Sequence, residues 1–228
     1  MAGSAEALPS GVPPRDDRAA RPLRIGVLAV QGDFEAHAAA LERLGAEVVE
    51  VRRPNELEAL DGLVIPGGES TTIQMGIEAY GFEQPLADFV SGGRAVLGTC
   101  AGLIVLDRHH LGLVDIEARR NAFGRQVRSF EADVTIEGLG DEPLRAVFIR
   151  APWIESAGPE VAVLAELEGR PVVARQGHVL VAAFHPELTD DLRFHALFLA
   201  IAGKEEGARN GRLPASRRAG LPQDGVPR

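Results

Sequence analysis

Residues 95–103 read A-V-L-G-T-C-A-G-L. The apolar run 95–98 has the character of a buried strand, and residues 101–106 that of a buried helix. Cys100 stands between them in G-T-C-A-G, residues 98–102. This is the Gly-x-nucleophile-x-Gly pattern of a sharp strand-to-helix turn, in which side chains at the flanking positions would strike neighbouring backbone. Such a turn belongs in a parallel α/β sheet, and it holds the sulfur at the carboxyl edge, where these folds bind ligands. It also aims the sulfur at a helix start, which favours a thiolate. A lone cysteine is otherwise a small buried hydrophobe. The paired glycines and the strand–helix context argue for a nucleophile instead.

The chain upstream agrees. Residues 24–30 form a continuous apolar strand. Phe34, Ala38, Leu41 and Leu44 then hold helical spacing between Asp33, a candidate cap, and Gly45, a stop. Residues 47–51 and 62–65 read as further strands, the second breaking at P-G-G, and helices are predicted over 70–79 and 82–90. Strands alternating with helices at short spacing imply a parallel sheet covered on both faces. Downstream, residues 132–136, 146–149, 161–167, 171–175 and 179–184 read as strands without intervening helices, the last two joined by a turn at Gln176–Gly177. A helix over 190–202, capped at Thr189 or Asp190, closes the domain with Leu192, Leu197, Leu199 and Ile201 among its apolar positions. The predicted fold class is α/β, three-layered, with a mostly parallel central sheet and antiparallel strands added in the second half.

Composition bounds the function. The 228 residues, 45% hydrophobic and 25% charged, suit one soluble domain and fall short of two full ones. Residues 23–202 carry the periodicity; residues 1–22 and 203–228 are rich in small, charged and proline residues and read as disordered tails. The net charge is −9; with +3 on the C-terminal segment and none on the N-terminal one, −12 remains on the domain. That argues against nucleic acid or a membrane as the main partner, without excluding a small anionic substrate. One cysteine permits no intramolecular disulfide and suggests a reducing compartment. No apolar run nears the ~20 residues of a membrane span, and M-A-G-S-A-E-A-L-P-S lacks the basic start and apolar stretch of a signal peptide. The expected location is cytoplasmic.

A thiol nucleophile needs a base. His185 lies in F-H-P-E, residues 184–187, at the end of the last strand. If that segment stays extended, Glu187 shares its face and can hydrogen-bond one ring nitrogen, leaving the other for Cys100. By itself a histidine in such a turn is more often structural; the elbow cysteine tips the reading. P-G-G-E-S, residues 66–70, supplies bare backbone, and the N–H groups of Gly68 and Ala101 form the expected oxyanion hole. His109–His110 lack a third ligand, so they read as a solvated loop and no metal is expected. His37 reads as a surface or interface residue.

Together P-G-G-E-S, G-T-C-A-G-L and F-H-P-E-L resemble a class I, triad-type glutamine amidotransferase. V-Q-G-D-F-E-A-H (30–37), P-G-G-E-S-T-T (66–72), R-N-A-F-G-R-Q-V-x-S-F-E (120–131), F-I-R-A-P (148–152) and A-R-Q-G (174–177) narrow the resemblance to the glutaminase subunits of pyridoxal 5′-phosphate synthases, over residues 24–202. The resemblance implies Cys100, His185 and Glu187 as catalytic residues, Gly68, Glu69 and Ser70 as a glutamine-contacting loop, and Arg120, Ile149 and Arg150 as further substrate-binding positions. An arginine fork suits the α-carboxylate of glutamine, and Glu69 its α-ammonium. The connection at 107–110 is shorter than in members of that family, which leaves the triad positions intact.

The resemblance also implies L-glutamine as substrate, no cofactor of the chain's own, and an ammonia acceptor in the form of a pyridoxal 5′-phosphate synthase subunit. One glutaminase fold uses up the core, so the acceptor site belongs to another chain. Ammonia released into neutral water would become ammonium, which is no nucleophile. Residues 31–37 are the expected contact with that partner. A glutaminase serving another synthesis, such as that of imidazole glycerol phosphate, a related cysteine hydrolase, and a noncatalytic redox or binding module are the alternatives.

Overall fold

The computed structural model describes residues 21–120 and 129–210, with side chains to residue 204. In chain order the elements are β1 (Arg24–Leu28), α1 (Phe34–Arg43), β2 (Glu47–Val51), β3 (Gly62–Ile65), α2 (Ser70–Tyr80), α3 (Glu83–Ser91), β4 (Ala95–Thr99) and α4 (Ala101–Leu106). There follow β5 (Ile116–Arg119), β6 (Ser129–Val134), β7 (Leu144–Ile149), β8 (Trp153–Ala157), β9 (Ala162–Leu167), β10 (Arg170–Gln176), β11 (Val179–Ala182) and α5 (Arg193–Asn210). A seven-stranded sheet in the order β2-β1-β3-β4-β11-β10-β9 forms the centre. Its first five strands are parallel, and β10 and β9 continue it antiparallel. The strands β3, β4 and β11 are buried at every position, as their unbroken apolar runs require of a sheet covered on both faces. In the helical layers α1 packs with α5, and α2 with α4.

The second half departs from the sequence reading in four ways. β11 pairs in parallel with β4, so the chain returns through the hairpin to extend the parallel set. The pairs β5–β8 and β6–β7 form separate two-stranded sheets rather than joining the centre. Neither β5 nor β8 is anticipated by the sequence, because I-E-A-R and W-I-E-S-A are short, charged and half exposed. The hairpin turn is Gly177–His178, one residue on from expectation, since Gln176 still pairs with Val179 and Gly177 takes the positive φ.

α5 also differs. It starts at Arg193, whose N–H is accepted by the Asp191 side chain, and it runs on to Asn210 past the expected end at 202. The run K-E-E-G-A-R after Gly203 is good helix sequence apart from one glycine. Phenylalanines, not leucines, take its innermost positions: Phe194 and Phe198 are fully buried, and Phe194 meets Phe184 edge-on at 5.3 Å. Arg21, expected in the N-terminal tail, is bound through both guanidinium nitrogens to Asp61. The remaining tail residues and the segment 121–128 lie outside the described residues.

Candidate active site

Four neighbouring strands, β1, β3, β4 and β11, deliver their carboxyl ends to one place. β4 delivers Cys100, whose backbone has φ 48° and ψ −102°, a conformation that L residues adopt only under constraint from their surroundings. The constraint is visible. Its N–H donates to Ala182 O on β11 at 2.8 Å, and α4 begins at the next residue with all six of its residues buried. A Cβ at Gly102 would overlap the Ile65 carbonyl oxygen, and one at Gly98 would stand 2.9 Å from the Gly102 carbonyl. The flanking glycines are therefore required by contact between β3, β4 and α4.

β11 delivers His185, whose N–H donates to Val147 O at 2.8 Å. The chain does not stay extended beyond it. Pro186–Leu188 form a turn of 3-10 helix, and that turn, rather than strand alternation, brings Glu187 round. His185 Nδ1 lies 2.7 Å from Glu187 Oε1, which leaves Nε2 for the sulfur. Burial disfavours the imidazolium, but hydrogen bonds with Cys100 and Glu187, and the charges of both, outweigh it and raise the His185 pKa to about 10. A Cβ at Gly67 would stand 2.9 Å from His185 Nδ1, so this glycine of the P-G-G turn makes room for the ring.

The carboxylate of Glu187 is fully buried. Burial would raise its pKa; the charges and hydrogen bonds of His37 and His185 hold it well below the usual carboxylate range. His37 is thus not the surface or interface residue expected. It is fully buried, with Nε2 3.2 Å from Glu187 Oε2 and 3.1 Å from Thr99 Oγ1, and Nδ1 3.0 Å from His195 Nε2. The helical spacing explains the difference: His37 interrupts the apolar positions of α1 but lies on their inner face. His195, in α5, carries no signal in the sequence that singles it out. Its pKa is lowered to about 3 by burial and by His37.

Above these groups opens a cavity of about 430 Å³. Gly68, Glu69, Ser70, Cys100, Ala101, Arg120, Ile149, Arg150 and His185 all line it, so every expected site residue except the buried Glu187 reaches it. The Cys100 thiol lies 3.9 Å from the carbonyl oxygen of Ile149, the last residue of β7. Gln31, Gly32 and Asp33 line it too and were missed as site residues. Their position just past the carboxyl end of β1 was the available signal. Gln31 Oε1 accepts the Glu69 N–H at 2.9 Å, joining that loop to the P-G-G turn.

Three expectations change in detail. Glu69 is the N-cap of α2: its carboxylate accepts from Thr71 N, Thr72 N and Thr72 Oγ1, an arrangement that also lowers its pKa through the Thr72 and Thr71 bonds. Asp33, the expected cap of α1, makes no such bond. Residues 109–110 are not simply a solvated loop. His110 Nδ1 lies 2.6 Å from the buried Asp107, and its Nε2 lies 3.2 Å from Arg120. Arg120 also donates to Thr71 Oγ1 at 3.4 Å, so its fork is tethered on both sides at the rim of the cavity. Among the described residues, the group with metal-ligand spacing is Asp33, His185 and Glu187, of which the last two are already paired.

The chain as a whole is similar to known proteins. Residues 27–203 match the model of the SNO glutamine amidotransferase family. The chain belongs to the SNO glutamine amidotransferase family. It is 50% identical over 198 residues to the pyridoxal 5′-phosphate synthase subunit PdxT of Parafrankia sp. (strain EAN1pec), covering 83% of this chain and 98% of that one. Against the subunit of the same name from Pelotomaculum thermopropionicum, identity is 54% over 184 residues, or 78% and 94% of the two chains. A crystal structure of a glutamine amidotransferase superposes with a TM-score of 0.75 at 49% identity, over 78% of this chain and 98% of that one. The fold extends further: a chain in the structure of PurLQS from Thermotoga maritima shares it with a TM-score of 0.60 at 17% identity, over 78% and 98%. Within the SNO family fold, no helix among the described residues is long and apolar enough to cross a membrane.

Proposed function

We propose that this chain is the glutaminase subunit of a pyridoxal 5′-phosphate synthase, hydrolysing L-glutamine to L-glutamate and ammonia. The observation that carries the reading is the line Cys100, His185, Glu187 at the floor of a cavity rimmed by Arg120 and Arg150. The Cys100 thiolate attacks the side-chain amide carbon. The developing oxyanion is met by the N–H of Ala101, a first-turn donor with no acceptor inside its own helix, and by that of Gly68. The His185 imidazolium gives its proton to the leaving nitrogen, which departs as ammonia and leaves a γ-glutamyl thioester. The same ring then takes a proton from water, and hydroxide adds to the thioester. Collapse of the adduct expels the thiolate and releases glutamate, whose carboxyl proton is lost to solvent, so that the thiolate–imidazolium pair is restored. Glu187 holds the ring in the tautomer that serves both steps.

Arg120 and Arg150 answer the α-carboxylate of the substrate, with the loop 68–70 and the chain at Ile149 closing round it. The ammonia passes to a separate synthase subunit, in the cytoplasm, and the chain needs no cofactor of its own. Support comes from relatives named as synthase subunits, matched over nearly their whole length. The test is glutamine-dependent formation of pyridoxal phosphate by this chain mixed with a purified synthase subunit. Product is expected with glutamine, and none with glutamine once Cys100 is replaced by alanine. Product from free ammonium alone, unaffected by adding this chain and glutamine, would reject the pairing.

A further inference from the structure

The reaction above uses one oxygen of Glu187. The other, Oε2, is buried, and its near neighbour is a second imidazole that the chemistry does not require. His37 comes from α1, far from Glu187 in sequence, and is fully buried. An ionised carboxylate is acceptor-only, so the ring nitrogen facing it carries a proton. That N–H is shared: it lies 3.1 Å from Thr99 Oγ1, with which it hydrogen-bonds, and 3.2 Å from Glu187 Oε2. Thr99 is the residue before Cys100 on β4. The opposite face of His37 meets His195 Nε2 at 3.0 Å, with the two rings edge-on and 5.2 Å apart. His195 is kept neutral by burial, and its own Nδ1 has no partner among the described residues. Two buried imidazoles thus stand in line behind one carboxylate, with polar groups left partly unsatisfied. A core built for stability alone would place apolar side chains here.

We propose that His37 is a positioning residue: it fixes the Glu187 carboxylate against the strand that carries Cys100, so that acid, base and nucleophile keep one register. The 3-10 turn holding Glu187 is short, and Oε1 alone would leave the carboxylate free to rotate about its last torsion. His185 hydrogen-bonds Oε1, while Oε2, which has no hydrogen-bond partner among the described residues, faces the His37 N–H across 3.2 Å as an ion-pair neighbour, so each oxygen has its own ring. Thr99 holds the same imidazole to β4, and His195 prevents it from tilting away. This rests on the glutaminase reading of the site.

The experiment is a double-mutant cycle on the full chain with its synthase partner, reading kcat and KM for glutamine hydrolysis. His37→Leu keeps the volume and removes both nitrogens; His37→Gln keeps one amide N–H for Oε2. His37→Leu is expected to lower kcat at least about tenfold, with KM within about twofold. His37→Gln should recover most of the loss. In a Glu187→Gln background, His37→Leu should cost less than about twofold, because the group it positions is gone. Alkylation of Cys100, the single cysteine, by iodoacetamide should slow in His37→Leu as well, a readout that needs no glutamine. Equal losses in both backgrounds, or unchanged kcat in folded His37→Leu, would overturn the proposal. An inactive parent chain would instead reject the glutaminase reading, and this inference with it.

Discussion

Replacing Gly102 by alanine tests whether the elbow is a mechanical requirement. The new Cβ would sit inside the contact distance of the Ile65 carbonyl oxygen and 2.9 Å from its carbon. Both are backbone atoms of a central strand, paired on each side, and cannot swing away as a side-chain tip can. The start of α4 must therefore retreat by roughly an ångström, taking Cys100 with it. Overpacking of this kind costs about 1–3 kcal/mol, and a rigid backbone neighbour puts this site near the upper end. For a domain of this size that lowers the melting temperature by about 6–12 °C. The effect on rate is separate: a reacting atom misplaced by about 1 Å loses on the order of 100-fold, equivalent to about 2.7 kcal/mol in the barrier. The assay is glutamine hydrolysis well below the lowered melting temperature, with kcat/KM compared to the parent. A Gly102→Ala chain with the parent's melting temperature and rate would refute the argument that close approach of β3 and α4 shapes the elbow.

Three further outcomes follow from the same geometry. Cys100→Ala should abolish glutamine hydrolysis and labelling by a glutamine-analogue electrophile; His185→Asn should be similarly severe and Glu187→Gln milder, because the acid orients rather than reacts, and kcat measured for each decides the order. Stability should depend on pH through three buried groups. The folded His185 pKa is raised from 6.5 to about 10, so its contribution is complete below 6.5 and is lost as pH rises through 10. Glu187 is lowered from 4.5, so its contribution is present above 4.5 and is lost on acidification. His195 is lowered from 6.5 to about 3, so the unfolded chain binds more protons in that window and acid destabilises the fold; urea titrations of the parent and His195→Gln from pH 4 to 10 should show the variant less acid-sensitive. Arg120→Ala should raise KM for glutamine by about tenfold with a smaller change in kcat, as expected for a charge-assisted bond to a substrate carboxylate at an exposed rim. A lowered kcat at unchanged KM would remove Arg120 from substrate binding.

Much of the centre was legible because its signals are local. The boundaries of β3 and α4 were read to the residue, since Pro66–Gly67 and Cys100–Gly102 punctuate long apolar runs. His185 and Glu187 were found from their spacing, although the chain between them is not extended: His185 stands just outside the 3-10 turn, and its own backbone brings its ring to the carboxylate. What escaped was decided by distant contact. β5 and β8 are stabilised by pairing with each other across a long stretch of chain, which leaves only a weak mark on either segment. His37 and His195 look like polar interruptions on two separate helices, and only the packing of α1 against α5 turns them inward. Asp33 has the residue type of a cap yet faces the cavity, because the bend at Gly32 precedes it.

The shell around Glu187 joins α1, near the beginning of the described chain, to α5 at its end, by way of β4 in the middle. A nascent or partly folded chain can complete neither the elbow, whose Cys100 N–H is held by Ala182 O on β11, nor the shell of the acid until its last strand and last helix have docked. A cysteine made nucleophilic too early would be exposed to oxidation and to wasteful hydrolysis of glutamine. Completion of the fold is therefore expected to be the event that arms the thiol. Recovery of activity on refolding should accordingly trail the recovery of sheet structure and coincide with burial of Phe194 and Phe198.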